Sequence, residues 1–188
     1  MIQITKTVDI QDVMKSQRSL YETNYAYWME HVLFSFNWWF LIIISIVPWF
    51  IWWKLVDKKR LVEISSVGLL SMVIVLTLDL IGSSFVLWTY GFNVVQMILP
   101  QITIDLTLLP IINMFLYQFI PRWKPYIVAT IFVALFGTFL VEPLFVWMGI
   151  YILHSWKYVY SLPIYIAFSI GLKWVLQKTK TCQNNARQ

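Results

Sequence analysis

Five stretches of this chain are apolar over about 20 residues each, and that repeated length constrains the fold more than anything else in the sequence. They run over 34–53, about 64–87, 95–120, 126–148 and 158–176. A helix rises ~1.5 Å per residue and a bilayer's hydrocarbon core is ~30 Å thick, so about 20 apolar residues cross it. Composition agrees. Only 12% of the residues are charged, 60% are hydrophobic and the mean hydropathy is +0.70. A soluble domain of this length needs more charge to cover its surface.

The expected fold is an all-α membrane bundle of five transmembrane helices over 34–176. An extracytoplasmic amphipathic helix is expected in 1–33 and a cytoplasmic basic tail in 177–188. In the first segment Ile10, Val13, Leu20, Tyr21, Tyr25, Trp28 and Val32 recur at helical spacing. Its acids (Asp9, Asp12, Glu22, Glu30) and the lack of a continuous apolar stretch argue against a secretory leader. Two roles are open to this helix: a membrane-surface anchor, or a lid that docks a partner.

Short loops rich in lysine and arginine mark the cytoplasmic side. Of fourteen basic residues, ten fall on one side: Lys54, Lys58, Lys59, Arg60, Arg122, Lys124, Lys173, Lys178, Lys180 and Arg187. Lys6, Lys15, Arg18 and Lys157 fall on the other. The expectation is N-out and C-in, with the lipid bilayer as the main partner. The net charge of +5 is then a topology signal, not a nucleic-acid footprint. Tryptophans at both ends of the runs suit two interfacial belts.

A weak internal repeat has an offset of 63 residues. It carries Asp79 onto Glu142, Lys59 onto Arg122, and Leu99-Pro100 onto Leu162-Pro163. Helices 2–3 and 4–5 read as two copies of one hairpin, an arrangement known among transporters. Pro100 and Pro163 are expected to open helices 3 and 5. Pro110 and Pro143 lie deeper, where each frees a carbonyl near Leu106 and Phe139.

Asp79, Asp105 and Glu142 lie inside the second, third and fourth runs. Ionisable groups in lipid are costly and point to function. Helical rise puts all three roughly 9–15 Å below the outer edge, in one layer. Gln101, Asp105 and Asn113 form one polar stripe, and Ser83 follows Asp79 by a turn. Gly82 lets a neighbour approach closely. Trp88, Tyr90, His154 and Lys157 are outer-rim candidates, and His154 or Lys157 reaching down to an acid is the plain structural alternative. Three states are open to the acids: protonated, sharing protons as a coupled set, or binding a cation. Hydrogen bonds that only fix helix packing are a fourth reading.

Other chemistry leaves no mark. There is no G-x-S-x-G, no H-E-x-x-H and no phosphate-binding glycine loop. Cys182 is the single cysteine, and no Cys/His spacing suggests zinc. No cofactor is expected beyond a bound proton or monovalent cation.

Lys58-Lys59-Arg60, Asp79 with Trp88 and Tyr90, Pro100 with Asp105 and Pro110, and Glu142-Pro143 resemble a group of small multi-pass membrane proteins from endospore-forming bacteria. The resemblance covers helices 1–5 but not the ends. It implies a bacterial plasma-membrane protein and carries no activity. Glu142-Pro143 with Phe145 is also similar to the acidic motif of small membrane-bound carotenoid cyclases, with acid and proline in a different order and no second adjacent acid. The expected function is binding or transport of a proton, cation or small polar solute at the carboxylate layer. The alternatives are a membrane enzyme acting on a lipid or isoprenoid, and a non-catalytic structural or sensory subunit. So small a bundle is expected to work as a homo-oligomer or with a membrane partner.

Overall fold

Within the described residues the apolar runs fold mainly as helix, and local chemistry sets the ends. The computed structural model describes residues 8–96 and 101–185. Helix α1 (Ile10–Tyr27) starts at Asp9, whose side chain forms a capping box with Asp12. It continues as a π-helical turn, Trp28–Val32, and breaks at Phe34, which takes a φ of 61°. Helix α2 (Phe36–Leu55) is capped by Ser35, whose hydroxyl accepts from the Trp38 amide at 3.2 Å. Helix α3 (Leu61–Ser84) follows a basic turn at Lys58–Arg60.

Helix α4 (Leu109–Phe119) and helix α6 (Glu142–Trp147) each follow a π-helical turn, Ile104–Leu108 and Gly137–Val141. Pro110 and Pro143 sit just past these turns. A proline cannot donate to the helix ladder, and the wider turn before it absorbs the misfit. Leu109 N thus reaches Ile104 O, and Glu142 N reaches Gly137 O. Helix α5 (Trp123–Phe136) runs into the second of these turns, and helix α7 (Tyr158–Asn185) ends the described chain.

Four helices are long and apolar enough to cross a membrane: Phe36–Leu55, Lys58–Ser84, Trp123–Trp147 and Tyr158–Cys182. The apolar helix Ile104–Phe119 is shorter. The distribution of side chains is inverted relative to a soluble protein. Val62, Phe132, Phe136 and Trp147 are exposed, while Ser71, Thr103, Asp105, Asn113 and Thr138 are buried. Apolar outside and polar inside is the arrangement of a helical membrane protein, because lipid solvates the outer face.

Two expectations change. Pro163 lies inside α7 and does not open it, because the helix already begins at Tyr158. Helix α7 also continues through residues 177–185, so Lys178 and Lys180 ride on a helix instead of a separate tail. The proposed helix start at Pro100 lies outside the described residues, as do Lys6 and Arg187.

The connections after α3 and α6 fold alike. Val86 N donates to Ser83 O (2.9 Å) and Leu87 N to Gly82 O (3.0 Å). Gly149 N donates to Val146 O (3.0 Å) and Ile150 N to Phe145 O (2.9 Å). Both are Schellman closures, with a left-handed residue at the corner: Val86 at φ 53° and Gly149 at φ 71°. Each leads into a short strand, β1 (Trp88–Tyr90) and β2 (Tyr151–Leu153). The strands pair antiparallel, with Thr89 opposite Ile152. Gly91 N to Ile150 O and His154 N to Leu87 O extend the ribbon. This ribbon is an addition to the expected all-α architecture.

The core has two parts. Leu41, Phe145 and Ile150 are buried beside the ribbon. Trp52, Ile64, Val67, Ile111, Met114 and Leu172 form a cluster toward the basic end. Helix α3 packs along α4 and α5 along α7.

Candidate functional site

The three acids are buried, between 3% and 8% exposed, and they fall into a pair and a single. Asp79, near the end of α3, and Asp105, in the π-helical turn before α4, bring their carboxyl groups close enough to interact. Asp79 Oδ1 also accepts from Trp88 Nε1 at 2.8 Å and from the Tyr90 hydroxyl at 2.5 Å. Its Oδ2 accepts from the Gln101 backbone N at 3.3 Å. Asp105 Oδ2 has no partner among the described residues.

Trp88 and Tyr90 are two apart on β1, so the strand's period of two aims both at one acceptor. Both donate directly to Asp79. Gly82 makes this possible: a Cβ there would lie 2.0 Å from Trp88 Cη2, so only hydrogen leaves room for the indole. Burial, and then the charge of Asp79, push the Tyr90 hydroxyl well above its ordinary pKa, so it remains a donor.

Glu142 opens α6 and is held by α7. Tyr165 donates to its Oε1 at 2.7 Å and Ser161 to its Oε2 at 3.2 Å. Trp156 Nε1 donates to Ser161 Oγ at 3.0 Å. Ser161 and Tyr165 are four apart and so share a helix face. Aromatic rings bridge the pair and the single. Trp88 meets Trp156 edge-on at 5.0 Å between centroids, and Tyr90 stacks on Tyr151 at 5.6 Å. Tyr151 feels the charge of Glu142, Asp79 and Asp105; burial first and these charges next push its hydroxyl upward.

Other candidates are placed differently. Gln101 is buried; its Nε2 donates to Phe92 O at 3.0 Å and its Oε1 has no partner among the described residues. Ser83 turns back on its own helix, donating to the Asp79 backbone O at 2.6 Å, so it does not touch the carboxylate. Asn113 donates to Leu109 O and lies two helical turns from Asp105, outside the cluster. His154 Nε2 bonds Thr89 Oγ1 at 3.0 Å in the ribbon. No ion pair among the described residues joins His154 or Lys157 to the acids.

Two sites at the basic end escape sequence reasoning. Glu63 binds Arg60, Tyr117 and Lys180, tying α3 to α4 and α7. Lys173, only 1% exposed, donates to Ile120 O at 2.8 Å and Pro121 O at 3.0 Å. It satisfies the carbonyls where α4 ends and lies 3.9 Å from the Tyr126 ring centroid. No signal in the sequence separates Lys173 from the basic residues that merely flank a span. No protein-family model, curated protein sequence or solved structure matches this chain.

Proposed function

We propose that this is a plasma-membrane protein of five transmembrane helices, N-terminus outside and C-terminus in the cytoplasm, that binds a proton at the Asp79–Asp105 pair. The observation that carries the reading is two buried carboxyl groups close enough to interact, with no basic residue paired to either among the described residues. Two ionised carboxylates repel and can only accept, whereas a proton held in common lets such a pair sit together. Within the class of proton, cation or small polar solute, the proton fits best. Both Asp79 oxygens already accept from N–H or O–H donors, which is how a buried negative charge is satisfied without a metal. Glu142, with its own hydroxyl donors, is a second carboxyl of the same system.

The hairpins α3–α4 and α5–α7 form a tandem repeat in this reading. A half-turn about the Thr89–Ile152 pair exchanges Gly91 N to Ile150 O with His154 N to Leu87 O. The matched Schellman corners and the Asp79/Glu142 offset support the same relation. The basic end is then cytoplasmic and the ribbon end external. We also propose assembly with a second copy or a membrane partner, and a bacterial source in the group named by its motifs.

Replacing Asp105 tests the reading. Asp105→Asn keeps a donor toward Asp79 but removes the titratable carboxyl. Infrared difference spectra across a pH step are expected to show a protonated-carboxyl band in the parent that is lost in Asp105→Asn. A parent band that neither Asp79→Asn nor Asp105→Asn alters would sink the proposal.

A further inference from the structure

A shared proton must exchange with water, yet neither acid of the pair is open to solvent. Asp79 is 6% exposed and Asp105 is 3% exposed. Toward the basic end, the apolar cluster of Trp52, Ile64, Val67, Ile111, Met114 and Leu172 closes the bundle. Toward the ribbon end lies a small polar cavity of about 30 Å³ under the π-helical turn of the N-terminal helix. Asn24, Tyr27, Trp28, Tyr90, Asn93 and Gln96 line it. That volume accommodates one water, and such a water needs two to four polar partners. One is waiting: the Gln96 Nε2 is buried and has no partner among the described residues.

Tyr90 lines this cavity and also donates to Asp79. Among the described residues it is the side chain that both lines the cavity and donates to the pair. Indoles hold the wall in place. Trp28 Nε1 donates to Asn93 O at 3.0 Å and Trp38 Nε1 to Val94 O at 2.9 Å. Asp79 from α3, Asp105 from the turn before α4 and Tyr151 from β2 act on Tyr90, and Tyr27 of the N-terminal helix lines the same cavity. Beyond Tyr151 stand Glu142 and Tyr165.

We propose that this cavity binds one water and that the Tyr90 hydroxyl relays protons between it and the Asp79–Asp105 pair. The relay rests on the pair being a proton site. A hydronium in the cavity passes a proton to the Tyr90 oxygen as the tyrosine's own O–H proton passes to Asp79. Water remains in the cavity, the phenol is neutral again, and the pair exchanges its single negative charge for a second proton. Release reverses each step. The N-terminal helix thereby roofs the entry, which gives it a role beyond that of an anchor.

The test is a pH jump on the purified full-length protein in lipid nanodiscs, followed by time-resolved infrared at the protonated-carboxyl band. Tyr90→Phe is expected to keep the band's amplitude and slow its rise roughly a hundredfold, the lower range for a positioned acid–base group. Gln96→Leu removes the amide that would hold the water without touching the pair and is expected to slow it as well; it decides the matter alone if Tyr90→Phe does not fold. Parent rates in both variants, with parent amplitude, overturn the relay. Failure of the proton site itself looks different: the band is then insensitive to Asp79→Asn and Asp105→Asn, whatever the rate.

Discussion

At Gly82 a single hydrogen atom decides whether Asp79 keeps its indole donor. Gly82→Ala places a methyl where Trp88 Cη2 now lies, 2.0 Å from the new carbon. The ring must move, and the Trp88–Asp79 hydrogen bond is lost with it. The expected cost is about 2 kcal/mol, read as a lower melting temperature, with altered tryptophan emission. Lys173 behaves in the opposite sense, as a buried cation that has found its partners. Lys173→Met leaves the Ile120 and Pro121 carbonyls without their donor. The expected loss is on the order of 2–3 kcal/mol by reversible unfolding in mild detergent. A melting temperature unchanged in Lys173→Met would show that these carbonyls find water.

Among the elements, the two Schellman corners offer a reciprocal experiment. Val86 is a β-branched residue held at φ 53°, while its counterpart Gly149 sits at φ 71° without a side chain to strain. Val86→Gly is expected to stabilise the fold by about 1 kcal/mol, and Gly149→Val to destabilise it by a similar or larger amount. Equal and opposite shifts in thermal melting would mark the corners as equivalent. The π-helical turns belong to this scale as well. One carries Asp105 within it and the other delivers Glu142 at its end, so the backbone irregularity at each proline also aims an acid.

For the whole molecule, topology is the first thing to measure. Cys182 is the single cysteine, and it is free and exposed near the end of α7. With the basic end in the cytoplasm, a membrane-impermeant maleimide is expected to label Cys182 only after cells are permeabilised. Labelling of intact cells at the same rate would reverse the assignment. The Glu63 cluster lies at the same end, where Lys180 closes α7 onto α3 at 3.1 Å. Ribbon at one end and ion cluster at the other clamp the two hairpins together.

The apolar runs and the acids within them were legible in the sequence, because helix length and rise depend only on residue count. Trp88 and Tyr90 were legible as candidates, but not as ligands of Asp79. Their aim depends on β1 pairing with β2, a backbone match between loops 63 residues apart that no local pattern encodes. Which acid meets which was likewise decided by the third dimension. Depth along a helix follows from counting, whereas direction around it follows from packing. The tight seating of α3 against α4 brought Asp79 to Asp105, and the face of α7 carrying Ser161 and Tyr165 claimed Glu142. The sequence by itself determined that carboxyls lie within the apolar runs; only the tertiary structure decided that two of them come together while the third is held by α7, because that depends on the register and rotation of separate helices.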